Sequence, residues 1–174
     1  MATWIADTMH SDVQFKVKHL MINTVTGEFT SYRAAVAAEA EDFSDASISF
    51  EIDVNSINTK NEMRDGHLKS DDFFSAEKFP TMSFQSTAYQ AKADGQSTLV
   101  GDLTIRDVTK TVTLDVEFGG VMVDFYGNTK AGFEITGSIN RKEFGLAWDA
   151  ITEAGGIVVS DNVKLVVNLQ LQKQ

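Results

Sequence analysis

One pattern recurs along this chain: apolar side chains occupy every second position, with polar residues between them. In the last such segment, every odd-numbered residue from Val163 to Leu171 is Val or Leu. Since successive side chains of a strand point to opposite faces, the pattern predicts strands with one apolar and one solvated face. The other segments are Val13/Phe15/Val17, Ile48/Phe50/Ile52/Val54, Met82/Phe84, Leu99/Leu103/Ile105, Val112/Leu114/Val116/Phe118 and Phe133/Ile135/Ile139. About eight segments with short polar connections predict an antiparallel meander, either closed into a barrel or folded as a sandwich.

Two local features add detail to the predicted strands. Between Gly27 and Ala38 the apolar parity changes, which predicts a bulge that bends a long second strand. Asp94-Gly95 is the strongest hairpin signal, because both residue types tolerate positive φ. A long, bent strand suits a closed barrel.

Three stretches break the alternation and predict short helical inserts. Thr59 to Glu62 has the form of a capping box, followed by apolar and basic residues at helical spacing. Ser70 with two aspartates predicts a further turn that carries Phe73 and Phe74, and Asn140 starts another turn that runs through Phe144 toward Trp148. We expect these aromatic-rich inserts to close the ends of the barrel.

Composition limits the size and the partners of the protein. A chain of 174 residues that is 43% hydrophobic predicts one domain over residues 1–174. A net charge of −10 argues against nucleic acid or an anionic membrane as the main partner. The absence of cysteine excludes disulfides, thiol nucleophiles and thiolate metal sites.

The N-terminal residues lack a basic stretch followed by a long apolar core, so the chain as given predicts a cytoplasmic protein. A native leader removed from it would make it periplasmic instead. No run approaches the ~20 apolar residues that cross a bilayer, so we expect a soluble protein without stable membrane insertion.

Ordered motifs along the chain carry a family resemblance. The N-terminal motifs are Trp4-Ile5 with Asp7, His10-Ser11-Asp12-Val13-x-Phe15-x-Val17-x-His19 and Val25-x-Gly27-x-Phe29. The central motifs are Ser56-Ile57-x-Thr59, Arg64-Asp65-x-His67-Leu68, Asp72-Phe73-Phe74 and Phe79-Pro80 with Phe84. The C-terminal motifs are Gly101-x-Leu103-Thr104-Ile105, Val108-Thr109-Lys110 and Arg141-x-x-Phe144-Gly145. In this order and spacing, the chain resembles the YceI-like, polyisoprenoid-binding family over essentially its whole length.

The resemblance implies an all-β fold, an eight-stranded antiparallel lipocalin-like barrel with short helical inserts. It also implies that the barrel interior binds a long-chain amphiphile, a polyisoprenoid or a similar lipid, as a carrier, store or scavenger. A barrel of about eight strands is either filled by its own side chains or wide enough for one slender ligand. The alternating rows then predict these apolar ligand-binding residues: Phe15, Val17, Phe29, Phe50, Ile52, Phe84, Leu103, Leu114, Val116, Phe133, Ile135, Leu165 and Val167. Because tail burial needs no polar contact, quinones, fatty acids or their amides are credible substitutes.

Small residues in the inward rows indicate room for a ligand. Gly101 and Gly137 stand between large apolar residues, and Ser86 and Ala88 follow Phe84. The alternative is that such glycines mark sharp strand coiling and leave no void.

Four polar residues are candidates for contact with a ligand head group: His19, Arg64, His67 and Arg141. His19 continues an inward row and belongs at one end of the interior, where it contacts a head group or a backbone carbonyl. Arg64 either contacts the ligand or joins its helix to the barrel rim through Asp65, and Arg141 has the same two interpretations. Arginine suits a pyrophosphate because its planar guanidinium donates two hydrogen bonds at once.

Signals for catalysis are weak. The three histidines, His10, His19 and His67, lack the close spacing of a metal motif, and no nucleophile elbow, phosphate loop or dinucleotide fingerprint occurs. The sequence therefore predicts a non-enzymatic protein without metal or cofactor.

A second interpretation belongs to another class of protein. The same strands could form a filled two-sheet sandwich that acts as an interaction module. Its exposed edge around Val121 to Phe125 would pair with a second copy or with another protein. A homodimer through this edge is compatible with the barrel as well.

Overall fold

The fold is an antiparallel β-structure in a computed structural model that describes residues 2–92, 95–148 and 159–174. Its strands are β1 (Ala2–Ala6), β2 (Asp12–His19), β3 (Asn23–Phe29), β4 (Tyr32–Ala38), β5 (Ser47–Asp53), β6 (Ile57–Asn58), β7 (Thr81–Ala91), β8 (Gln96–Ile105), β9 (Val108–Val123), β10 (Thr129–Asn140) and β11 (Val159–Lys173). The helix α1 spans Glu62–Lys69, and short 3-10 turns cover Thr8–His10, Val54–Ser56 and Arg141–Phe144. Asp94 of the predicted hairpin lies outside the described residues.

The strands form one closed barrel. They follow the order β1-β4-β5-β7-β8-β9-β10-β11-β2-β3-β6, and β11 also pairs with β1. Three pairs of segments, β1/β2, β3/β4 and β5/β6, each form one long barrel strand that a few residues interrupt. Counting each pair once, and calling each full-length barrel strand a stave, the wall has eight staves, as predicted. Closure comes from β11, whose Lys173 lies opposite Trp4 and whose Val163 lies opposite Val17. This pairing removes the two free edges that a sandwich would have, so the sandwich interpretation was wrong.

The predicted bend in the second stave lies at Thr30 and Ser31. These residues separate β3 from β4, and both Phe29 and Tyr32 on either side are buried. The Thr30 N–H donates to the Ser56 carbonyl (3.3 Å), which ties the bend to the neighbouring stave.

A bulge in β7 corrects one inward assignment. The register with β8 shifts between Ser86 and Ala88, so the parity of the strand changes there. Ala88 is consequently exposed, whereas Tyr89 packs against the core. The Ser86 hydroxyl accepts a hydrogen bond from the Ile48 N–H (2.8 Å) and belongs to the wall.

Aromatic rings fill one end of the barrel, which we call the closed end. The Phe43 ring, from the β4–β5 connection, lies 5.1 Å from Trp4, 5.4 Å from Phe118 and 5.0 Å from Phe133 between ring centroids. Leu171 and Val116 are buried in the same cluster. Offset and edge-to-face aromatic contacts stabilise such a plug beyond the area that they bury.

The opposite end, which we call the mouth, carries α1, the residues that follow it and the Arg141–Phe144 turn. The helix cap lies two residues later than predicted, because the N-cap is Asn61 and not Thr59, and its side chain accepts from the Arg64 N–H (3.1 Å). Thr59 instead donates its N–H to Asp65 (2.9 Å) and joins β6 to the helix. Within the described ranges, no helix has the length and apolar character needed to cross a membrane.

Candidate functional site: an apolar cavity that extends toward the mouth

A cavity of about 170 Å³ runs from the middle of the barrel toward the mouth. Among the residues that the structure describes, its wall is apolar apart from Gln14 and Arg141. The strand residues in the wall are Val13, Gln14, Phe15, Val17, Phe29, Ile48, Phe50, Ile52, Met82, Phe84, Leu99, Leu103, Ile105, Val112, Leu114, Ile135, Ile139, Val159, Val163, Leu165 and Val167. Its volume is below the ~300–1,000 Å³ of a typical ligand pocket, so side chains fill much of the interior.

Burial along β11 shows where the barrel is hollow. The inward residues Val163, Leu165 and Val167 are half-buried and line the cavity. Leu169 and Leu171 continue the same row but are buried in the closed end. One apolar row therefore serves two purposes, a cavity wall near the mouth and solid packing at the other end.

The space directly above Gly101 and Gly137 is filled, contrary to the prediction that these small residues leave it free for a ligand. A Cβ atom on Gly101 would collide with the Phe84 ring, and one on Gly137 would collide with Leu114. Neighbouring large side chains occupy these positions, because a strand glycine lets a bulky residue lie flat against the backbone. The space that remains lies elsewhere between the rows.

Most of the predicted apolar site residues lie in the cavity wall: Phe15, Val17, Phe29, Phe50, Ile52, Phe84, Leu103, Leu114, Ile135, Leu165 and Val167. Val116 and Phe133 do not, because they lie nearer the closed end and pack in its cluster. Alternation predicted that these two point inward, but it carries no information on depth along the barrel.

Arg141 lies in the cavity wall, yet its side chain is only 3% exposed and its donors are used within the protein. Its guanidinium donates to the carbonyls of Leu146 (2.6 Å), Trp148 (2.7 Å) and Ser160 (2.9 Å). A weaker bond reaches the Val159 carbonyl at 3.3 Å, and Asp161 lies 3.9 Å away. These contacts join the Arg141–Phe144 turn to the start of β11 and shape the mouth.

The other three polar candidates lie outside the cavity wall. Arg64 donates to the hydroxyl (2.8 Å) and the carbonyl (2.6 Å) of Thr59, so it holds α1 on the rim. His67 hydrogen-bonds Asp72 (2.9 Å), and His19 ends β2 opposite Asn23. In the described part of the chain, no three His, Asp or Glu side chains are grouped to hold a metal ion.

Sequence reasoning missed the cavity residues that the inserts supply. Leu68 from α1, Phe73 and Phe74 from the following turn, and Leu146 cover the mouth side of the cavity. The Phe74 ring meets Phe29 edge-on, with centroids 6.0 Å apart. The aromatic richness of these inserts was the available signal.

The chain is similar in sequence and in fold to several known proteins. A UPF0312 protein of Staphylococcus aureus strain USA300 is 39% identical over 165 residues, which cover 94% of each chain. A crystal structure of a Campylobacter jejuni YCEI protein superposes with a TM-score of 0.77 at 35% identity, covering 97% of this chain and 96% of that one. A polyisoprenoid binding domain from Saccharophagus degradans shares the fold with a TM-score of 0.69 at 15% identity, covering 98% of both chains.

The family model of the YceI-like domain matches residues 4–171, which takes in every stave of the barrel. With the closed barrel and its cavity, this match identifies the chain as a member of the YceI-like family.

Proposed function

We propose that this protein binds the apolar tail of a long-chain amphiphile in the barrel cavity and serves as a carrier, store or scavenger without catalysing a reaction. The observation that carries the proposal is the apolar cavity, which extends from mid-barrel to the mouth. The polyisoprenoid-binding domain of Saccharophagus degradans, which has the same fold, favours a prenyl lipid as the ligand.

The chemistry of the cavity supports selection for a tail rather than for a head group. Burial of apolar surface contributes ~25 cal/mol per Å² before ordering costs, so a tail binds without polar contacts. Arg141, which is the charged side chain in the described part of the wall, already donates to backbone carbonyls. We therefore expect loose discrimination between prenyl lipids, fatty acids and quinones.

The size of the cavity sets how the tail is held. At about 170 Å³ it takes part of a long chain. A longer tail must displace flexible wall residues or leave its polar end outside the mouth. The second arrangement keeps the head group in water and requires no buried charge.

Native mass spectrometry tests the proposal directly. The intact mass of protein purified under mild conditions is measured before and after organic extraction, and again after addition of a prenyl alcohol. We expect a bound amphiphile that extraction removes and the prenyl alcohol replaces. A protein that never carries an amphiphile and ignores the added lipid would defeat the proposal. Displacement of a fluorescent fatty acid by prenyl alcohols of graded length then ranks the ligand classes.

A homodimer through the edge of β9 is a second candidate property. In the described part of the chain, pairing of β8 with β9 ends at Glu117, and the residues beyond it pair with β10 alone. Val121, Met122 and Val123 on this edge are exposed, and an unpaired apolar edge is a template for pairing. Sedimentation velocity would show a dimer that Met122→Asp dissociates. A parent protein that stays monomeric at all concentrations contradicts this candidate.

A further inference from the structure

The hairpin between β2 and β3 displays three consecutive apolar side chains to solvent. Leu20 is 40% exposed, Met21 59% and Ile22 84%. Single exposed apolar residues are common on protein surfaces, but a contiguous apolar tip on a protruding turn marks an interaction site.

The turn chemistry makes this tip unusual. Leu20 and Met21 have φ angles of 53° and 60°, and the Ile22 N–H donates to the His19 carbonyl (3.3 Å). Positive φ at two successive turn positions favours Asn-Gly, because other side chains crowd the backbone there. Leucine and methionine therefore occupy positions that disfavour them, as happens where side-chain function outweighs local strain.

The tip projects beside the mouth of the cavity. β2 leads into the hairpin through Val17, a cavity residue, and ends at His19, which lies opposite Val159 of β11. Val159 also lines the cavity. A surface that covered the hairpin would thus lie next to the mouth end of the cavity.

Positive charge flanks the hairpin. Lys16 and Lys18 on β2 share one surface depression with Lys164 on β11, and Lys16 lies directly opposite Lys164. Thr24 of β3 lies in the same depression, and Asp115 is the carboxylate there. Among the residues that the structure describes, none of the three lysines forms an ion pair with a carboxylate. Like charges on neighbouring strands repel, which indicates an anionic partner for this surface.

The closed end offers a contrasting apolar tip. Phe125 is 100% exposed and Tyr126 88% in the β9–β10 turn. Carboxylates accompany it, because Asp124 lies in the same turn and Glu41 shares a surface depression with Val121 of β9 and with Lys173. An anionic surface would be repelled from this end, so charge distinguishes the two tips.

We propose that the mouth docks on an anionic lipid bilayer, with Leu20, Met21 and Ile22 inserted into the interfacial layer and the lysines against the lipid head groups. The net charge of −10 opposes approach at long range. At ~0.15 M salt the Debye length is ~8 Å, so the local lysines act while distant carboxylates are screened. The inference deepens the proposed function, because docking in this orientation would let a tail pass between bilayer and cavity without crossing water.

Site-specific fluorescence tests the orientation. The chain has no cysteine, so Met21→Cys and Phe125→Cys each provide one attachment point for a polarity-sensitive fluorophore. With vesicles of phosphatidylglycerol and phosphatidylcholine at ~0.15 M salt, we expect a blue shift for the probe at position 21 and none at position 125. No shift at position 21, or a shift at position 125 alone, overturns the proposal.

Vesicle flotation tests the contribution of the side chains. The triple variant Leu20→Asn/Met21→Gly/Ile22→Ser gives the turn residues that it favours, so folding is preserved. We expect its vesicle affinity to fall at least ~10-fold, whereas the matched variant Phe125→Ser/Tyr126→Ser binds like the parent. The variant Lys16→Gln/Lys18→Gln/Lys164→Gln loses the preference for phosphatidylglycerol. Equal binding by the parent and the triple hairpin variant would refute docking through this tip.

Uptake of a fluorescent fatty acid by the same variants separates this inference from the proposed function. The hairpin variant retains uptake in vesicle-free solution if docking and tail binding are distinct. A parent that binds vesicles but no fatty acid would overturn the proposed function and leave the docking surface established.

Discussion

The ring of Phe15 lies flat over Gly27, its partner on the adjacent strand, where it occupies the space of the missing Cβ atom. Phe84, which lies opposite Leu103, reaches diagonally over Gly101, and Leu114 occupies the corresponding space over Gly137. All three large side chains line the cavity, so the glycines hold wall residues back from its centre. The volume available to a ligand is therefore set by pairs of residues on neighbouring strands.

This relationship predicts the effect of Gly27→Ala. The added methyl group forces Phe15 toward the cavity, so we expect a loss of ~1–3 kcal/mol in the free energy of unfolding and weaker binding of a fatty-acid probe. The matched control is Gly66→Ala in α1, where a Cβ atom meets nothing within 4 Å. That change is expected to stabilise by ~0.5–1 kcal/mol, because alanine is the better helix former. Urea unfolding measures both, and equal stability of the Gly27→Ala variant and the parent would contradict the packing described.

Filling the cavity should abolish ligand uptake without unfolding the protein. Val167 lines the cavity, whereas Val166 is its neighbour on the same strand and lies outside the wall. We expect Val167→Phe to lower the affinity for a fluorescent fatty acid at least ~10-fold and Val166→Phe to leave it within about twofold of the parent. Probe titration with circular dichroism as a folding control measures the difference. Equal affinity for both variants would place the ligand outside this cavity.

Arg141 is predicted to be a structural residue of the mouth. Arg141→Met leaves buried carbonyls without donors, which should cost roughly 3–5 kcal/mol of unfolding free energy. Arg33, exposed and paired with Glu51 on the barrel surface, is the control, and Arg33→Met should cost less than ~1 kcal/mol. Arg141→Lys keeps the charge but loses the planar donor geometry, and it should lie between the parent and Arg141→Met. Chemical denaturation measures the three unfolding free energies. An Arg141→Met variant as stable as the parent would contradict the prediction.

The ion pair of Asp7 and Lys130 gives the stability a defined pH dependence. The Lys130 ammonium lies 2.7 Å from the Asp7 carboxylate, and its hydrogen bond, with that of His10, lowers the pKa of Asp7 to about 2. The folded-state pKa lies below the unfolded value of 3.8, so the stabilisation is present above about pH 4 and is lost as pH falls toward 2. At neutral pH it is worth ~1–2 kcal/mol after allowance for solvent screening.

Asp7→Asn tests this linkage. The variant should be less stable than the parent by ~1–2 kcal/mol at pH 7, and the difference should disappear near pH 2. Thermal unfolding between pH 2 and 7 measures both curves. A difference that does not change across this range would assign the effect to packing rather than to charge.

Much of this fold follows from local signals. The alternation in β11 predicted its inward row, and the parity change after Gly27 predicted the bend between β3 and β4. The inserts also lie where the periodicity breaks, although the N-cap of the helix is Asn61 and not the predicted Thr59. Local backbone preferences and side-chain direction act over a few residues, so they can be read from the chain.

Sequence patterns alone predicted the strands, most of their inward faces, the inserts and the family resemblance. Four features became visible only in the folded structure: Phe15 fills the space over Gly27, Val116 lies in the closed end, Arg141 donates to backbone carbonyls, and the cavity extends toward the mouth. These features depend on strand register and barrel closure, which bring together residues far apart in the chain, such as Trp4 and Lys173. Alternation fixes a side chain's face, whereas its depth and its neighbours are fixed by the stagger of the closed sheet.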